Sequence, residues 1–177
     1  YKLIGYVPQK AVMFNGTVNS NIAYGDAKEV ITDKAVKEAA KVAQADDFVS
    51  KMDDGYASHI AQGGTNVSGG QKQRLAIARA IAKNPEIYIF DDSFSALDYK
   101  TDAVLREELK KYTKDATSLI VAQRIGTIMN ADKIIVLDNG TSVGVGTHEE
   151  LLKSCEVYKE IALSQLSKEE LDNAKTK

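Results

Sequence analysis

The sequence lacks the features of disulfide-rich, membrane-spanning and nucleic-acid-binding proteins. Only one of its 177 residues is a cysteine, Cys155, which excludes an internal disulfide and suits a reducing compartment. No apolar run approaches the roughly 20 residues that a membrane-spanning helix needs. The formal net charge is −2, which gives no electrostatic basis for binding nucleic acid or an anionic membrane. What remains is a globular protein, long enough for one domain or for one domain with a subdomain.

The most distinctive stretch is Asn66-Val67-Ser68-Gly69-Gly70-Gln71, where a loop turns into a helix. Ser68 is placed as the N-cap, and Gln71, three residues later, completes a capping box. We predict that this helix ends at Asn84-Pro85, because proline cannot continue a helix. Free backbone N–H groups, the positive end of the helix dipole and a serine hydroxyl make such a start a ready anion site. Taken alone, however, the stretch is better explained as an ordinary capped helix.

The apolar pattern predicts an α/β fold with a largely parallel sheet. Strands are expected at residues 3–7, 87–90, 118–122 and 133–137, and the last leads into a hairpin turn at Asp138-Asn139-Gly140. Helices are expected at residues 17–23, 32–43, 46–52, 99–112, 147–153 and 157–167. The runs at 87–90 and 118–122 do not alternate with polar residues, so we expect both strands to be buried, and the strand at 87–90 to be covered on both faces.

This pattern divides the chain into four segments. Residues 1–9 form a core strand and the turn after it, and residues 10–83 form a mainly helical subdomain that ends in the helix after Ser68. Residues 84–167 return to the α/β core, and residues 168–177 form a polar tail that frays. A natural domain rarely begins inside a core strand, so the sequence is expected to continue upstream of Tyr1.

Polar residues follow three of the apolar strands directly, namely Gln9, Asp91-Asp92 and Gln123. In open α/β sheets, ligands bind outside the carboxyl ends of the strands. One such ending means little, because every strand must end somewhere. Three of them, on a chain that also carries Ser68-Gly69-Gly70-Gln71, indicate a site for a polyphosphate and a divalent metal.

Five motifs in this order and spacing resemble those of the nucleotide-binding domain of an ATP-binding cassette (ABC) transporter. The motifs are the Q-loop (Val7-Pro8-Gln9), the signature (Val67-Ser68-Gly69-Gly70-Gln71), the Walker B strand (Ile87-Tyr88-Ile89-Phe90-Asp91), the D-loop (Ser95-Ala96-Leu97-Asp98) and the switch region (Val121-Ala122-Gln123-Arg124). The resemblance extends from Gly5 to Leu166. It implies a P-loop NTPase-like (RecA-like) core with an α-helical ABC subdomain.

The resemblance is greatest to one half of a heterodimeric bacterial exporter of the multidrug or lipid type. The segments at residues 15–22 and 146–151 are similar to exporter sequences after the Q-loop and near the C-terminus. Such a domain lies on the cytoplasmic face of the cell membrane. Its partners would be a transmembrane domain on the same polypeptide and a second nucleotide-binding domain from a different half-transporter, and no nucleic acid is expected.

No Gly-x-x-x-x-Gly-Lys-Ser/Thr motif, the Walker A loop that cradles phosphates, occurs in the sequence. In this family that loop and its neighbouring strands would precede Tyr1. We therefore expect the 177-residue chain by itself to bind ATP weakly and to be inactive, and its unpaired core strands to favour self-association.

The resemblance also implies roles for single residues, with ATP and Mg²⁺ as cofactors. Asp91 would hold Mg²⁺, usually through water, and Gln9 would offer an amide oxygen to the metal or to the attacking water. Asp92 stands where the family normally has a glutamate that positions this water, and it is one methylene shorter. Gln123 stands where the family normally has a histidine. A positioned base is worth about 10²–10⁴ in rate, so we expect this chain's own site to bind ATP but to hydrolyse it slowly. The other interpretation is that Asp92 is only a conservative variant.

The signature of this family contacts the ATP that is held by the partner domain. Ser68, Gly69, Gly70 and Gln71 would therefore serve the partner's site, which is the hydrolytic one. Asp98 would lie between the two sites and would also cap the helix that follows it. The basic residues Lys72, Arg74 and Arg79 on the signature helix are expected to form a solvated or salt-bridged face.

Two other functions remain open at this point. The chain could belong to a soluble ABC protein of chromosome maintenance or translation, although the exporter-like segments and the absence of a long coiled coil argue against this. It could also be a module that acts only by dimerising. The sequence upstream of Tyr1 would discriminate between the exporter and the soluble protein.

Overall fold

A computed structural model describes residues 3–25 and 30–165 of the chain. These residues fall into two compact units, which divide between Val121 and Ala122. The strands of the first unit are β1 (Ile4–Val7), β2 (Gly16–Thr17), β3 (His59–Ile60), β4 (Ile87–Asp91) and β5 (Thr117–Val121). Its helices are α1 (Val18–Ile22), α2 (Asp33–Val42), α3 (Asp46–Val49), α4 (Gly69–Ala82) and α5 (Tyr99–Tyr112).

The main sheet of the first unit is parallel, with the strand order β1-β4-β5. In its register Tyr6 lies opposite Ile89, and Asp91 lies opposite Val121. The carboxyl ends of the three strands therefore meet at one edge, as the α/β prediction requires. The two short strands β2 and β3 form a separate antiparallel ribbon beside the helices.

Among the described residues, only one face of the sheet is fully buried, so the expectation that β4 is covered on both faces is wrong. Tyr88 and Phe90 are buried, whereas Ile87 on the opposite face is 38% exposed. The prediction that β5 is buried is also wrong, because Leu119 is 52% exposed. Periodicity alone does not show how many faces of a strand are covered, since β-branched and aromatic residues also suit an open face.

Helix α4 packs closely against the buried face of this sheet, and Gly5 permits the close approach. A Cβ atom on Gly5 would lie only 2.8 Å from Cγ of Pro85 and 3.3 Å from the backbone oxygen of Ala80. The apolar side of α4 joins the core that the other helices build, and its buried members are Leu75, Ala76, Ile77, Ala78, Ala80 and Ile81. The helix that begins at the signature is thus held by β1 near its end and by α1 and α2 along its apolar side.

The predicted helix starts of the first unit are present. Thr17 caps α1 with a capping box, Thr32 caps α2 and Asp98 caps α5. The helix predicted at residues 46–52 is shorter, since α3 ends at Val49 and turns follow. Short polar N-caps are local signals, which is why sequence reasoning found them.

The second unit contains the helices α6 (Ile125–Ile128), α7 (His148–Ser154) and α8 (Glu156–Gln165) and the strands β6 (Ile134–Asp138) and β7 (Thr141–Gly146). β6 and β7 form an antiparallel hairpin, as predicted, and Asn139 and Gly140 in its turn have φ values of 46° and 77°. The end of the last predicted helix and the polar tail at 168–177 lie outside the described residues. Across the part of the chain that the structure describes, every helix is too short or too polar to cross a membrane.

Candidate functional site

The carboxyl edge of the parallel sheet brings three of the predicted site residues together. Gln9 follows β1, and its Nε2 donates a hydrogen bond to Oδ2 of Asp92, at 3.1 Å. Asp91 is the last residue of β4, and its Oδ2 accepts a hydrogen bond of 3.1 Å from the hydroxyl of Tyr6. The edge therefore presents two carboxylates and one carboxamide, each held by a neighbouring strand.

The turn after β4 is fixed by long-range hydrogen bonds. Asp92 has φ of 45°, a left-handed conformation that aspartate tolerates better than most residues, and its N–H donates to the Val121 carbonyl at 2.9 Å. The buried hydroxyl of Ser93 donates to the Val7 carbonyl at 2.8 Å. Sequence reasoning did not single out Ser93, and its only local signal was a small polar residue directly after the two carboxylates.

Tyr6 is a second residue that sequence reasoning missed. It lies on the open face of β1 with 54% of its surface exposed. Its hydrogen bond to Asp91, together with some burial and the charge of that carboxylate, raises the pKa of the Tyr6 hydroxyl above its usual value. The hydroxyl therefore stays protonated and donates at neutral pH.

The signature forms the capping box that its sequence predicts. Oγ of Ser68 accepts from the Gln71 N–H at 3.2 Å, and Oε1 of Gln71 accepts from the Ser68 N–H at 2.9 Å. The Ser68 hydroxyl hydrogen and the Gln71 Nε2 group are donors that this box does not use. A Cβ atom added to Gly69 would meet nothing within 4 Å, so a ligand can approach the backbone there.

The D-loop lies beside the signature. A Cβ atom on Gly70 would be 3.4 Å from the backbone oxygen of Ala96. Asp98 caps α5, and its two carboxylate oxygens accept from the Thr101 N–H at 3.0 Å and the Thr101 hydroxyl at 2.7 Å. The backbone hydrogen bond from Thr101, followed by the one from its hydroxyl, lowers the pKa of Asp98. The predicted capping role of Asp98 is thus confirmed.

One hydrogen bond joins the signature helix to the Q-loop. Gln73 is 2% exposed, and its Nε2 donates to the carbonyl of Pro8 at 3.1 Å. The residue that follows this carbonyl is Gln9, whose side chain reaches Asp92. The start of α4 and the sheet edge are therefore connected through a buried side chain that no local sequence pattern indicates.

Arg74 and Arg79 of α4 donate to backbone carbonyls instead of forming the expected solvated or salt-bridged face, so that expectation is wrong for these two residues. Arg74 donates to the Gln44 carbonyl at 2.7 Å and stacks on the ring of Phe48. Arg79 donates to carbonyls of Asn21 and Val12 at 2.7 and 3.0 Å, and burial lowers the pKa of its guanidinium to about 10. Both side chains therefore anchor α4 to the preceding segments, since a guanidinium presents several N–H donors to carbonyl oxygens.

Gln123 belongs to the second unit. Its side chain is exposed, and its backbone carbonyl accepts a hydrogen bond of 2.9 Å from Nε2 of Gln165. The same Gln165 side chain accepts from the Ile125 N–H at 2.9 Å and so holds the turn between β5 and α6.

The donor set at the sheet edge suits Mg²⁺ that arrives with a nucleotide. Within residues 3–25 and 30–165, no three histidine, cysteine or acidic side chains converge on a metal position. Mg²⁺ often takes only one or two protein carboxylates and completes its shell with water and substrate phosphates. The oxygens of Asp91 and Gln9 match that pattern, whereas a site made of protein ligands alone does not.

Comparisons with known proteins agree with this geometry. The family model described as "ABC transporter" matches residues 1–95, which include the Q-loop, the signature and the Walker B strand. An uncharacterized ABC transporter ATP-binding protein of Mycobacterium tuberculosis is 51% identical over 166 residues, which cover 93% of this chain and 28% of that protein. A Bacillus subtilis protein of the same description is 45% identical over 166 residues, with 94% and 28% covered.

A third relative comes from Staphylococcus aureus and carries the words "multidrug export ATP-binding/permease protein" in its name. It is 44% identical over 158 residues, which cover 89% of this chain and 27% of that protein. Among solved structures, a bacterial Atm1-family ABC exporter with ATP bound matches with a TM-score of 0.88 and 37% identity, over 94% of this chain and 29% of the exporter chain. The chain thus spans less than a third of the length of these relatives. By its fold, its motifs and the family model over its first 95 residues, it belongs to the ABC transporter family.

Proposed function

We propose that the chain is part of the ATP-binding domain of a bacterial ABC exporter subunit, which powers export by binding and hydrolysing ATP. The observation that carries this proposal is the 3.1 Å contact between Gln9 and Asp92 beside Asp91, at the carboxyl edge of the parallel sheet. The ATP-bound exporter of similar fold supports it. The name of the Staphylococcus aureus relative favours an exporter over a soluble ABC protein.

ATP and Mg²⁺ would bind at this edge. Asp91 would hold the metal, either directly or through water, with the Oδ1 atom that Tyr6 does not contact. Gln9 donates to Asp92 through Nε2, so its Oε1 is left to accept from water or to coordinate the metal. These residues would orient the γ-phosphate and its metal, and the metal would neutralise the charge that develops during phosphoryl transfer.

This chain's own site would hydrolyse ATP slowly. Asp92 is one methylene shorter than the glutamate usual in the family, and Gln9 draws its carboxylate toward β1. Gln123 can donate a hydrogen bond to phosphate, but it cannot carry the charge of a histidine. A weak base and a neutral switch residue together favour a site that retains ATP.

The signature would instead complete the site of a second nucleotide-binding domain. The open backbone at Gly69, the free hydroxyl hydrogen of Ser68 and the amide of Gln71 are donors for a γ-phosphate that this chain does not hold. Gly70 and Asp98 would lie at the same interface. The partner would be a different half-transporter, and each subunit would carry its own transmembrane domain. This chain would then lie on the cytoplasmic face of the bacterial membrane.

Separate mutation of the two sites tests this assignment in the full-length heterodimer. Ser68→Arg should reduce steady-state ATP hydrolysis by about 10²-fold or more, because it blocks the hydrolytic site. Asp92→Ala should reduce it by less than about threefold. Ser164→Arg, at an exposed serine of α8, is the control for an added charge. If Asp92→Ala abolished turnover and Ser68→Arg left it intact, the assignment would be wrong.

A further inference from the structure

Tyr6 and Asp91 lie on the same face of neighbouring strands. Tyr6 is opposite Ile89 in the register of β1 and β4, and Asp91 is two residues farther along β4. A diagonal neighbour at this separation is within reach of an aromatic side chain. The phenol extends toward the carboxyl edge, and its oxygen is 3.1 Å from Oδ2 of Asp91.

The hydroxyl of Tyr6 contacts the Asp91 carboxylate and not the apolar core. Among the described residues, the side chain lies outside that core, on the less covered face of the sheet. The hydroxyl, which phenylalanine lacks, is the group that donates a hydrogen bond to the Asp91 carboxylate. A hydrogen bond to an ionised acceptor is shorter and stronger than one between neutral groups.

We propose that Tyr6 is a positioning residue for the metal carboxylate. By donating to Oδ2, it holds Asp91 in one rotamer and leaves Oδ1 for the cation that accompanies the nucleotide. This inference rests on the proposed function, since it assigns Tyr6 to the Mg²⁺–ATP site at the sheet edge. Tyr6 touches neither the metal nor the nucleotide and acts through Asp91.

Removal of the Tyr6 hydroxyl is expected to lower the affinity for the metal without lowering the affinity for the nucleotide. Without the phenol hydroxyl, Asp91 samples several rotamers and must be ordered when the cation binds. One hydrogen bond to a charged group is lost, and water partly replaces it at this exposed site. We therefore expect the affinity for the cation to fall by about three- to tenfold. The role proposed for Asp91 is toward the cation alone, so metal-free nucleotide should bind as before.

The experiment uses Mn²⁺ as a spectroscopic substitute for Mg²⁺ in the full-length transporter, with AMP-PNP so that no turnover occurs. Free Mn²⁺ is titrated by electron spin resonance in wild type, Tyr6→Phe and Tyr112→Phe. Tyr112 lies on α5 and is the control, because its hydroxyl is outside the site. AMP-PNP affinity in EDTA and the melting temperature are measured on the same samples.

Tyr6→Phe should weaken one class of Mn²⁺ site by about three- to tenfold and leave AMP-PNP affinity and melting unchanged. In a heterodimer, the partner's Mn²⁺ site should stay as in wild type and thus serve as an internal reference. Unchanged or tighter Mn²⁺ binding would overturn the inference, and so would an equal loss in Tyr112→Phe or a parallel loss of AMP-PNP affinity. If wild type bound no Mn²⁺ with AMP-PNP, the proposed function itself would fail.

Discussion

The sheet edge and the start of α4 both carry motif residues of an ABC domain, but their polar groups are engaged differently. At the edge, Gln9 contacts Asp92 and Tyr6 contacts Asp91, so the functional side chains satisfy one another. At the start of α4, Ser68 and Gln71 satisfy only the helix end, and Gly69 faces open space. This difference supports the proposal that the edge holds a cation between strands and that the signature receives an anion from outside.

The two regions are nevertheless connected, and Gln73 is the connection. The largest effect on stability is therefore expected from Gln73→Leu, which keeps the side-chain volume but removes the donor to the Pro8 carbonyl. Leaving a buried polar group without its partner costs about 1–3 kcal/mol, and because the Pro8 carbonyl is only partly buried, we expect a loss of about 1–2 kcal/mol in the free energy of unfolding. Denaturant unfolding measures it.

Gln62→Leu is the control for Gln73→Leu. Oε1 of Gln62 accepts from the Asn15 N–H at 3.2 Å, but this pair is exposed to water, and we expect a change within about 0.5 kcal/mol. Amide exchange at Val7, Gln9 and Lys10 should rise in the Gln73 variant only. An equal loss in both variants would mean that Gln73 does not join the Q-loop to α4 in a special way.

A smaller effect is expected at Ser68, where capping can be separated from phosphate binding. Ser68→Ala removes the N-cap acceptor and should cost about 1 kcal/mol of unfolding free energy. Ser68→Asp retains an acceptor and suits the helix dipole, so its stability should stay within about 0.5 kcal/mol of wild type. In the full-length transporter, however, the carboxylate should repel phosphate and reduce ATP hydrolysis as strongly as Ser68→Arg does.

The two Ser68 variants therefore distinguish a structural cap from a ligand site. If Ser68→Asp hydrolysed ATP at the wild-type rate, the signature of this chain would be an ordinary capped helix. That was the simpler interpretation of the stretch when it was considered by itself.

Sequence reasoning predicted the local part of both regions and missed the part that depends on long-range contacts. Ser68 and Gln71 are three residues apart, so their capping box is visible in the sequence, and the same is true of Asp98 and Thr101. The grouping of Gln9 with Asp91-Asp92 followed from a general rule about parallel strands. Tyr6, Gln73 and Ser93 were not predicted, because their partners are 85, 65 and 86 residues away along the chain.

The prediction that the strands β4 and β5 are buried was wrong for a related reason. Apolar runs at β4 and β5 indicated strands, but whether a second layer covers Ile87 and Leu119 depends on which elements pack there. A strand pattern contains no information about such neighbours. The arginines of α4 were misread likewise, since Arg79 pairs with the carbonyl of Asn21, which is 58 residues away.

The smallest expected effect concerns pH and compares the caps of α5 and α4. The pKa of Asp98 is lowered in the folded protein, first by the Thr101 N–H and then by the Thr101 hydroxyl. A carboxylate with a lowered pKa adds stability that is fully present above its unfolded pKa, near 3.8, and is lost as the pH falls through its pKa in the folded protein.

Lowering the pH from 6 toward 3 should therefore loosen the first turn of α5. The cap of α4 has no titratable group, so Ser68 should hold its turn over the same range. Amide protection factors at the two helix starts measure this. Asp98→Asn should reduce the acid sensitivity of the first turn of α5, while the ion pair between Asp102 and Arg106 in the same helix stays in place. Equal acid sensitivity at both starts would contradict the distinction between a charged and a neutral cap.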